Sequence, residues 1–261
     1  MDDRQKSSIA LRLTGGFLVA AIGISSVLAM FAPQKTKPLY IDDTAYSTKV
    51  GEVQTFGLRD DTRVSLGTNS RIAIHYSPTE RRIELLRGEA VIVPGHDDPR
   101  KMSISALSYL ITDKGTKLSV RINDDHTLTV LVTEGEVLLE PLMEPRKPGV
   151  TLHAGDEALV NGTQIIKRQR SLDELNRRLA WTNGQLIFSG QTLETIVTEF
   201  NRYNKLQIVI KDPSISKLKV DGGFVSTDPI QFANALEDWG VTFKHNPQDG
   251  DIELVLKSPN N

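Results

Sequence analysis

The chain has 261 residues, of which 39% are hydrophobic and 25% are charged, so its composition is that of an ordinary globular protein with one or two domains. The formal net charge is −2 and the pI is about 6.2, which excludes the strong positive field that gathers nucleic acid. Cysteine is absent from the sequence, which excludes disulfides, thiolate zinc sites and cysteine nucleophiles but does not indicate the compartment.

An uncharged stretch lies between Arg12 and Lys35. Residues 13–32 supply the roughly 20 apolar positions that a helix needs to cross a hydrocarbon core. We therefore predict a short tail over residues 1–12, one transmembrane helix over 13–32 and a linker over 33–46. A cleaved signal peptide is the alternative, although its apolar region is usually only about 7 to 15 residues long. Both alternatives export the bulk of the chain, and the nearly balanced flanking charges do not fix the orientation.

Residues 47–168 are predicted to form an all-β domain. Short runs rich in Val, Ile, Leu and Thr are separated by Gly, Asp, Asn and Pro at roughly the 8- to 12-residue spacing of small β structures. The run from Arg71 to Tyr76 alternates polar and apolar residues, as expected when one face of a sheet is buried. This pattern fits a β-roll, a sandwich or a barrel.

A change of period at Ser171 predicts a connector helix within residues 169–180, because Ser171 and Glu174 form a capping-box pattern before an apolar run. Residues 181–257 then show two strand-helix-strand units in a small α+β domain. The first unit is predicted as Gln185 to Phe188, Leu193 to Tyr203 and Leu206 to Ile210, and the second as Leu218 to Phe224, Pro229 to Trp239 and Val241 to Lys244, with a last strand from Ile252 to Leu256.

Both predicted helices carry a single apolar stripe. The second helix also has the preferred end signals, with Asp228 as N-cap, Pro229 as the first helical residue and Gly240 just past the end. The overall prediction is a mainly β chain with an N-terminal transmembrane helix and a small C-terminal α+β domain.

The sequence contains no recognisable catalytic or metal-binding motif. Its five histidines are scattered, and no metal-ligand spacing, nucleophile elbow or phosphate-binding loop occurs. The local cluster His96-Asp97-Asp98 lies between Gly95 and Pro99 and is interpreted as a polar turn. We therefore expect a binding protein that is not an enzyme and has no cofactor and no metal.

The conspicuous residues of the two predicted domains occur in a distinctive order. In the β domain they are Gly51, Leu58, Asp61, Thr62, Val64, Leu66, Asn69, Ser70, Arg82, Leu85, Gly88, Glu89, Ala90, Gly115, Thr116, Val120, Glu134 to Val137 and Leu152 to Gly155. In the C-terminal domain they are Trp181, Gly184, Leu186, Phe188, Leu193, Phe200 to Asn204, Gly223 and Phe224. This series resembles the FecR-type family of inner-membrane sigma regulators, and the C-terminal part also resembles the signalling module at the front of secretins and TonB-dependent transporters.

The resemblance implies a single-pass inner-membrane protein with its bulk in the periplasm and its N-terminus in the cytoplasm. The implied partners are the periplasmic signalling domain of a TonB-dependent outer-membrane transporter of iron and an extracytoplasmic-function sigma factor. Family members carry a cytoplasmic helical domain that grips the sigma factor, whereas only about twelve residues precede the predicted helix here. A misplaced start, a separate sigma-binding chain and sensing without sigma contact are all left open.

A transient interface is expected to depend on a few aromatic or arginine side chains. Arg202, Tyr203 and Phe224 are therefore the predicted partner-binding residues, although the two rings also suit a core position and the arginine stem also suits coverage of apolar surface. The alternative function is a structural or ligand-binding periplasmic module, anchored to the inner membrane, that has no sigma-factor role.

Overall fold

The computed structural model describes residues 42–113, 115–144, 147–245 and 250–257. The predicted tail, the predicted transmembrane helix over residues 13–32 and most of the linker lie outside these residues. Among the helices of the described ranges, none is both long and apolar enough to span a bilayer. All described residues belong to one compact unit.

The first thirteen strands build the β domain. They are β1 Asp42–Ser47, β2 Gln54–Gly57, β3 Arg63–Leu66, β4 Arg71–Tyr76, β5 Glu80–Val93, β6 Lys101–Ala106, β7 Tyr109–Asp113, β8 Lys117–Ile122, β9 Leu128–Glu134, β10 Glu136–Pro141, β11 Val150–His153, β12 Asp156–Asn161 and β13 Gln164–Gln169. The prediction of a mainly β chain is confirmed, and the first strand begins at Asp42, ahead of the predicted domain start at residue 47.

These strands form two layers that share the long strand β5. One layer has the order β1-β4-β5-β6-β7-β10-β11, and the other has the order β2-β3-β5-β8-β9-β12-β13. The N-terminal half of β5 pairs with β4 and β6, and its C-terminal half pairs with β3 and β8. One hydrophobic core contains residues of both layers. The side-chain alternation along each strand therefore directs one set of apolar residues into a common interior.

The change of layer within β5 occurs at Gly88. This glycine has a φ of +78°, which L side chains rarely adopt. The pairing of β4 with β5 also shifts in register at this end, where Arg71 pairs with Arg87 and Ile72 pairs with Leu85. A strand with a local register shift twists and bends, so β5 can continue from one layer into the other.

The connector helix α1 spans Leu172–Arg178, and a 3₁₀ turn over Ala180–Asn183 follows it. Ser171 is the N-cap, and its side-chain oxygen accepts a hydrogen bond from the Glu174 amide. This is the Ser-to-backbone half of the predicted capping box.

The C-terminal domain contains β14 Gln185–Thr192, α2 Leu193–Tyr203, β15 Ile208–Ile210, β16 Lys219–Val225, α3 Pro229–Ala235, β17 Val241–His245 and β18 Ile252–Leu256, with 3₁₀ turns over Pro213–Ile215 and Leu236–Trp239. The predicted bounds of the first helix and of the last strand agree with the structure. Strand β14 extends past the predicted Phe188 because Gly190, with a φ of +72°, allows an irregularity after which pairing resumes.

The two strand-helix-strand units are interleaved. Strands β14 and β16, which open the two units, pair with each other, while β15 and β17 lie on either side of β18 in a second sheet. The helices contribute Phe200 and Phe232 to the core, and these rings stack at 4.3 Å between centroids. The predicted second helix is α-helical only to Ala235, after which a 3₁₀ turn leads to Gly240 with a φ of +74°.

Candidate functional site at the domain junction

The outer face of one β layer is covered by the C-terminal part of the chain. Val91 of β5 and Leu131 of β9 are buried, and both belong to the hydrophobic core of the C-terminal domain. Their strand neighbours Ala90, Ile92, Val130 and Val132 belong to the core of the β domain. Because successive side chains of a strand face opposite sides of the sheet, this layer separates two cores, and its outer surface is a domain junction.

A buried carboxylate, Glu89 of β5, lies at this junction and is only 5% exposed. Its Oε1 accepts hydrogen bonds from Trp181 Nε1 at 2.9 Å and from Ser119 Oγ at 3.1 Å. Its Oε2 lies 3.5 Å from Nη2 of Arg202. A buried charge is costly unless it is paired and hydrogen-bonded, and here the partners come from β8, from the turn after α1 and from α2.

The charged contacts continue beyond Glu89. Arg202 also pairs through Nη1 with Glu199 one turn earlier on α2. The second oxygen of Glu199 accepts a hydrogen bond from Nη1 of Arg121, a β8 residue, at 3.1 Å. We call Glu89, Arg121, Trp181, Glu199 and Arg202 the junction network. It alternates acidic and basic groups, and it joins strands of the β domain to a helix of the C-terminal domain.

Two members of the network, Glu199 and Arg202, are held in their charged forms. Burial opposes ionisation of Glu199, but the guanidinium groups of Arg202 and Arg121 outweigh it and hold the pKa of this carboxyl below its ordinary value. Burial likewise opposes the charge on Arg202, yet the carboxylates of Glu199 and Glu89 raise its pKa. Burial, together with the same two carboxylates, raises the pKa of Tyr203. At neutral pH Glu199 and Arg202 therefore form an ion pair beside the neutral phenol of Tyr203.

A second set of contacts ties the connector helix to the β domain. Glu157 of β12 accepts a hydrogen bond from Nε of Arg170 at 2.7 Å and pairs with Arg178 of α1. Burial disfavours the charge on Glu157, but Arg178 and Arg170 lower the pKa of this carboxyl on balance. On the other side of the junction, Thr68 Oγ1 donates a hydrogen bond to the backbone carbonyl of Arg202 at 3.1 Å.

The three predicted partner-binding residues occupy different places. The Arg202 side chain is 11% exposed and lies in the junction network, and the neighbouring Tyr203 ring is buried with its hydroxyl unpartnered among the described residues. Phe224 is buried in the C-terminal core, where its ring meets that of Phe232 edge-on at 5.1 Å. Both rings are thus core residues in this structure. The assignment of the three residues to partner binding stays a prediction.

No sequence motif indicates the network itself. Glu89 and Trp181 belong to the series of residues that resembles the FecR-type family, whereas no sequence pattern singles out Arg121 or Glu199. One local signal was present: Glu89 precedes the apolar run from Ala90 to Val93. A carboxylate inside a strand that is buried on both faces requires a partner, but the identity of that partner depends on the tertiary fold.

The described residues contain no group of three or more acidic or histidine side chains placed to hold a metal ion. In the segment predicted as a polar turn, Asp98 instead accepts a hydrogen bond from Nε of Arg100 at 2.9 Å. Hydrogen bonding to Arg100 is the largest cause that lowers the pKa of Asp98.

A cleft of about 310 Å³ opens beside the junction network. Its walls come from β8, β9, α1, β14 and α2, so residues of both domains line it. Arg121 and Arg177 lie among its polar lining residues, and Leu131, Leu186 and Phe188 among its apolar ones.

The fold and this junction define a class of protein in which a two-layer β domain is joined to a small module of interleaved strand-helix-strand units. Residues 44–138 match the family described as FecR protein, and this part of the chain is a FecR domain. The match covers most of the β domain, including Glu89 and Arg121 of the junction network.

Two crystal structures from Parabacteroides distasonis ATCC 8503, each described as a "putative anti-sigma factor", share the fold. The first has a TM-score of 0.65 at 20% sequence identity and covers 83% of this chain and 100% of its own. The second has a TM-score of 0.63 at 21% identity, with 82% and 100% coverage. No curated protein sequence matches the chain. At these identities the two structures establish likeness of fold, which extends beyond the FecR domain to most of the chain.

Proposed function

We propose that this chain is a membrane-anchored periplasmic signal relay of the FecR type. It links a TonB-dependent outer-membrane transporter to control of an extracytoplasmic-function sigma factor, and it performs no catalysis. The support is the FecR domain at residues 44–138, a fold shared with two proteins that are each described as a "putative anti-sigma factor", and the uncharged stretch over residues 13–32, which has the length of a membrane span.

The observation that carries this proposal is the attachment of the FecR domain to the C-terminal module through buried ion pairs. A relay requires that binding at one part of a molecule change the energy of another part. The junction network supplies such a physical connection, because Glu89 and Arg121 belong to strands of the FecR domain while Glu199 and Arg202 belong to α2. In this proposal the transporter domain docks on the C-terminal module, which contains this helix.

The experiment uses the full chain in the membranes of its own host. A reporter gene under the sigma-dependent promoter is measured with and without the transported ligand, in the wild type, in a deletion strain and in the complemented strain. We expect deletion to change the response of the reporter to the ligand and complementation to restore it. An unchanged response, with the complementing chain present in the membrane fraction, would instead favour a structural or ligand-binding module without a sigma role.

Location is tested in the same strains by protease digestion. If the proposed orientation is right, the body of the chain is digested after the outer membrane is permeabilised and is protected before that. Protection that persists until the inner membrane is broken would contradict the periplasmic location. Crosslinking of the tagged chain, followed by detection of the sigma factor, then distinguishes direct contact from contact through another chain.

A further inference from the structure

The cleft beside the junction network has the features of a small-molecule site. Its volume of about 310 Å³ lies at the lower end of the range of ligand pockets, and such pockets occur preferentially between domains. Leu131 and Leu186 are buried in its floor, and the ring of Phe188 forms part of its wall. These side chains form an apolar part of the cleft lining.

The acidic groups along the cleft are already paired with arginine side chains of the protein. Glu199 is paired with Arg121 and Arg202, and Glu89 faces Arg202. Outside this network, Glu157 pairs with Arg178. The carboxylates beside the cleft therefore do not require a cation from a ligand.

One basic group of the cleft has no acidic partner among the described residues. Arg177 lines the cleft and is half-buried, and it forms no ion pair with the described residues. Arg121, by contrast, donates to Glu199 through Nη1, and its Nε is buried out of reach of a ligand. A guanidinium group that faces an apolar-walled cleft is suited to a carboxylate, because its planar set of donors matches the two carboxylate oxygens.

We propose that this cleft binds a small organic carboxylate with an apolar body. The carboxylate is held by Arg177, and the apolar body lies against Leu131, Leu186 and Phe188. One anionic group is the expected charge of the ligand, because Arg177 is the one cation of the cleft that lacks an acidic partner among the described residues. This site is separate from the proposed relay function and does not depend on it.

The probe is phenylacetate, and its uncharged analogue phenylacetamide is the matched control ligand. Saturation-transfer NMR with the full chain in detergent detects each compound from its own ring protons, and titration gives a dissociation constant. We expect saturable binding of phenylacetate, with phenylacetamide bound at least about ten-fold more weakly, because a charge-assisted hydrogen bond is stronger than a neutral one. Equal binding of both compounds, or no saturable binding up to millimolar concentrations, would overturn the proposal.

Variants of Arg177 locate the binding site. Arg177→Gln removes the charge without breaking an ion pair among the described residues, so the unfolding temperature should stay unchanged while phenylacetate binding weakens by roughly ten-fold. Arg177→Lys keeps the charge and should retain part of the affinity. Arg82→Gln, which breaks the exposed contact with Glu80 and changes no lining residue of the cleft, is the matched control. Unchanged affinity in Arg177→Gln would overturn the assignment, whereas the sigma-dependent reporter tests the relay separately.

Discussion

Glu89 lies at the point where a strand passes between two cores, and its two hydrogen-bond donors and its ion-pair partner come from distant parts of the chain. Its Oε1 accepts from Trp181, which is 92 residues away in sequence. Ser119 and Arg202 complete the set. Because the carboxylate is 5% exposed, water does not replace a donor that is lost. Each donor therefore contributes more to stability than an equivalent group at the surface.

We predict that Trp181→Phe destabilises the protein. The change keeps an aromatic ring but removes the indole N–H that donates to Glu89 Oε1. Loss of one hydrogen bond to a buried charged group should lower the free energy of unfolding by about 1.5 to 3 kcal/mol. Urea unfolding followed by circular dichroism measures this value.

The control for this change is Trp239→Phe, which shortens a partly buried ring at the edge of the same core. It should cost less than Trp181→Phe because its loss is confined to packing. If both variants lost the same free energy of unfolding, the loss would be explained by the smaller ring, and the hydrogen bond to Glu89 would make no separate contribution.

A pH dependence follows from the lowered pKa of Glu199. A carboxyl whose pKa is lower in the folded state contributes stability that is fully present above its unfolded pKa of about 4.3 and is lost as the pH falls through its folded pKa. The unfolded chain binds the proton first, so acid favours unfolding. Glu157, whose pKa is also lowered, adds to the effect.

We predict that Glu199→Gln flattens this dependence. Unfolding free energies measured between about pH 7 and pH 3 should fall less steeply in the variant than in the wild type, because one titrating group has been removed. The variant should also be less stable at neutral pH, since Arg121 and Arg202 each lose a charged partner. Glu194→Gln, at an exposed pair with Lys217, is the control and should keep the wild-type slope. A slope unchanged by Glu199→Gln would contradict the assignment.

The choice of substitution at Arg202 matters for any test of partner binding. A charge reversal, Arg202→Glu, would place a third carboxylate beside Glu89 and Glu199. Like charges that share a buried site disfavour ionisation and folding. A loss of partner binding in this variant would therefore follow from damage to the junction, and it would not assign Arg202 to an interface.

At the scale of the elements, Gly88 controls the path of β5. A Cβ atom added at this position would lie 2.1 Å from Oγ and 2.7 Å from Cα of Ser70, and the φ of +78° disfavours any L side chain. Ser70 has no freedom to move away, because its Oγ accepts a hydrogen bond from the Glu89 amide and donates one to the Thr68 carbonyl.

We predict that Gly88→Ala lowers the free energy of unfolding by more than about 2 kcal/mol, since both the backbone conformation and the contact with Ser70 are incompatible with a Cβ. Thermal unfolding measures the loss. Gly57→Ala is the matched control, because nothing lies within 4 Å of a Cβ there and its φ is not positive. A loss in Gly88→Ala no larger than in Gly57→Ala would contradict the steric argument.

The elements differ in how far the sequence predicts them. Helix α2 is predicted with its bounds because its apolar stripe is a local pattern. The signals that begin and end the α3 segment also lie in the nearby sequence. The Asp228 side chain accepts a hydrogen bond from the Gln231 amide, and Gly240 adopts a positive φ. The pairing of β5 with four other strands is not predicted, because strand partners are chosen by contacts between distant residues. The crossing of β5 between layers is visible only in the structure.

The same limit applies to the site. Arg121 and Glu199 are 78 residues apart in sequence, and neither lies in a motif that indicates a partner. The residue type of Arg202 predicts a partner-binding role, and the structure places this residue in a network with Glu89 and Glu199. Sequence reasoning can identify a charged residue in an unusual place, but the opposite charge that compensates it is set by the packing of whole domains.

At the scale of the whole molecule, the junction decides whether the two cores unfold together. Two domains behave as one cooperative unit when the free energy of their interface is large compared with the stability of either domain alone. Here the interface includes the paired Glu89, Glu199 and Arg202, the ties from Glu157 to α1, and the apolar residues Val91 and Leu131. We therefore predict a single unfolding transition for the wild-type chain.

Removal of buried partners should separate the two cores. In the double variant Arg202→Met with Glu157→Gln, Glu89 loses its charged partner, and Glu199, Arg170 and Arg178 each lose one of two. Removing one partner of a fully buried pair costs about 3 to 5 kcal/mol. Tryptophan fluorescence, which reports on Trp181 at the junction and Trp239 in the C-terminal domain, should then change at a lower urea concentration than the circular dichroism of the β strands. Lys211→Met, at the exposed pair with Glu253, should keep the two signals coincident. Coincident signals in the double variant would show that the apolar contacts alone couple the domains. This result would contradict the proposed role of the junction network as the physical connection in the relay.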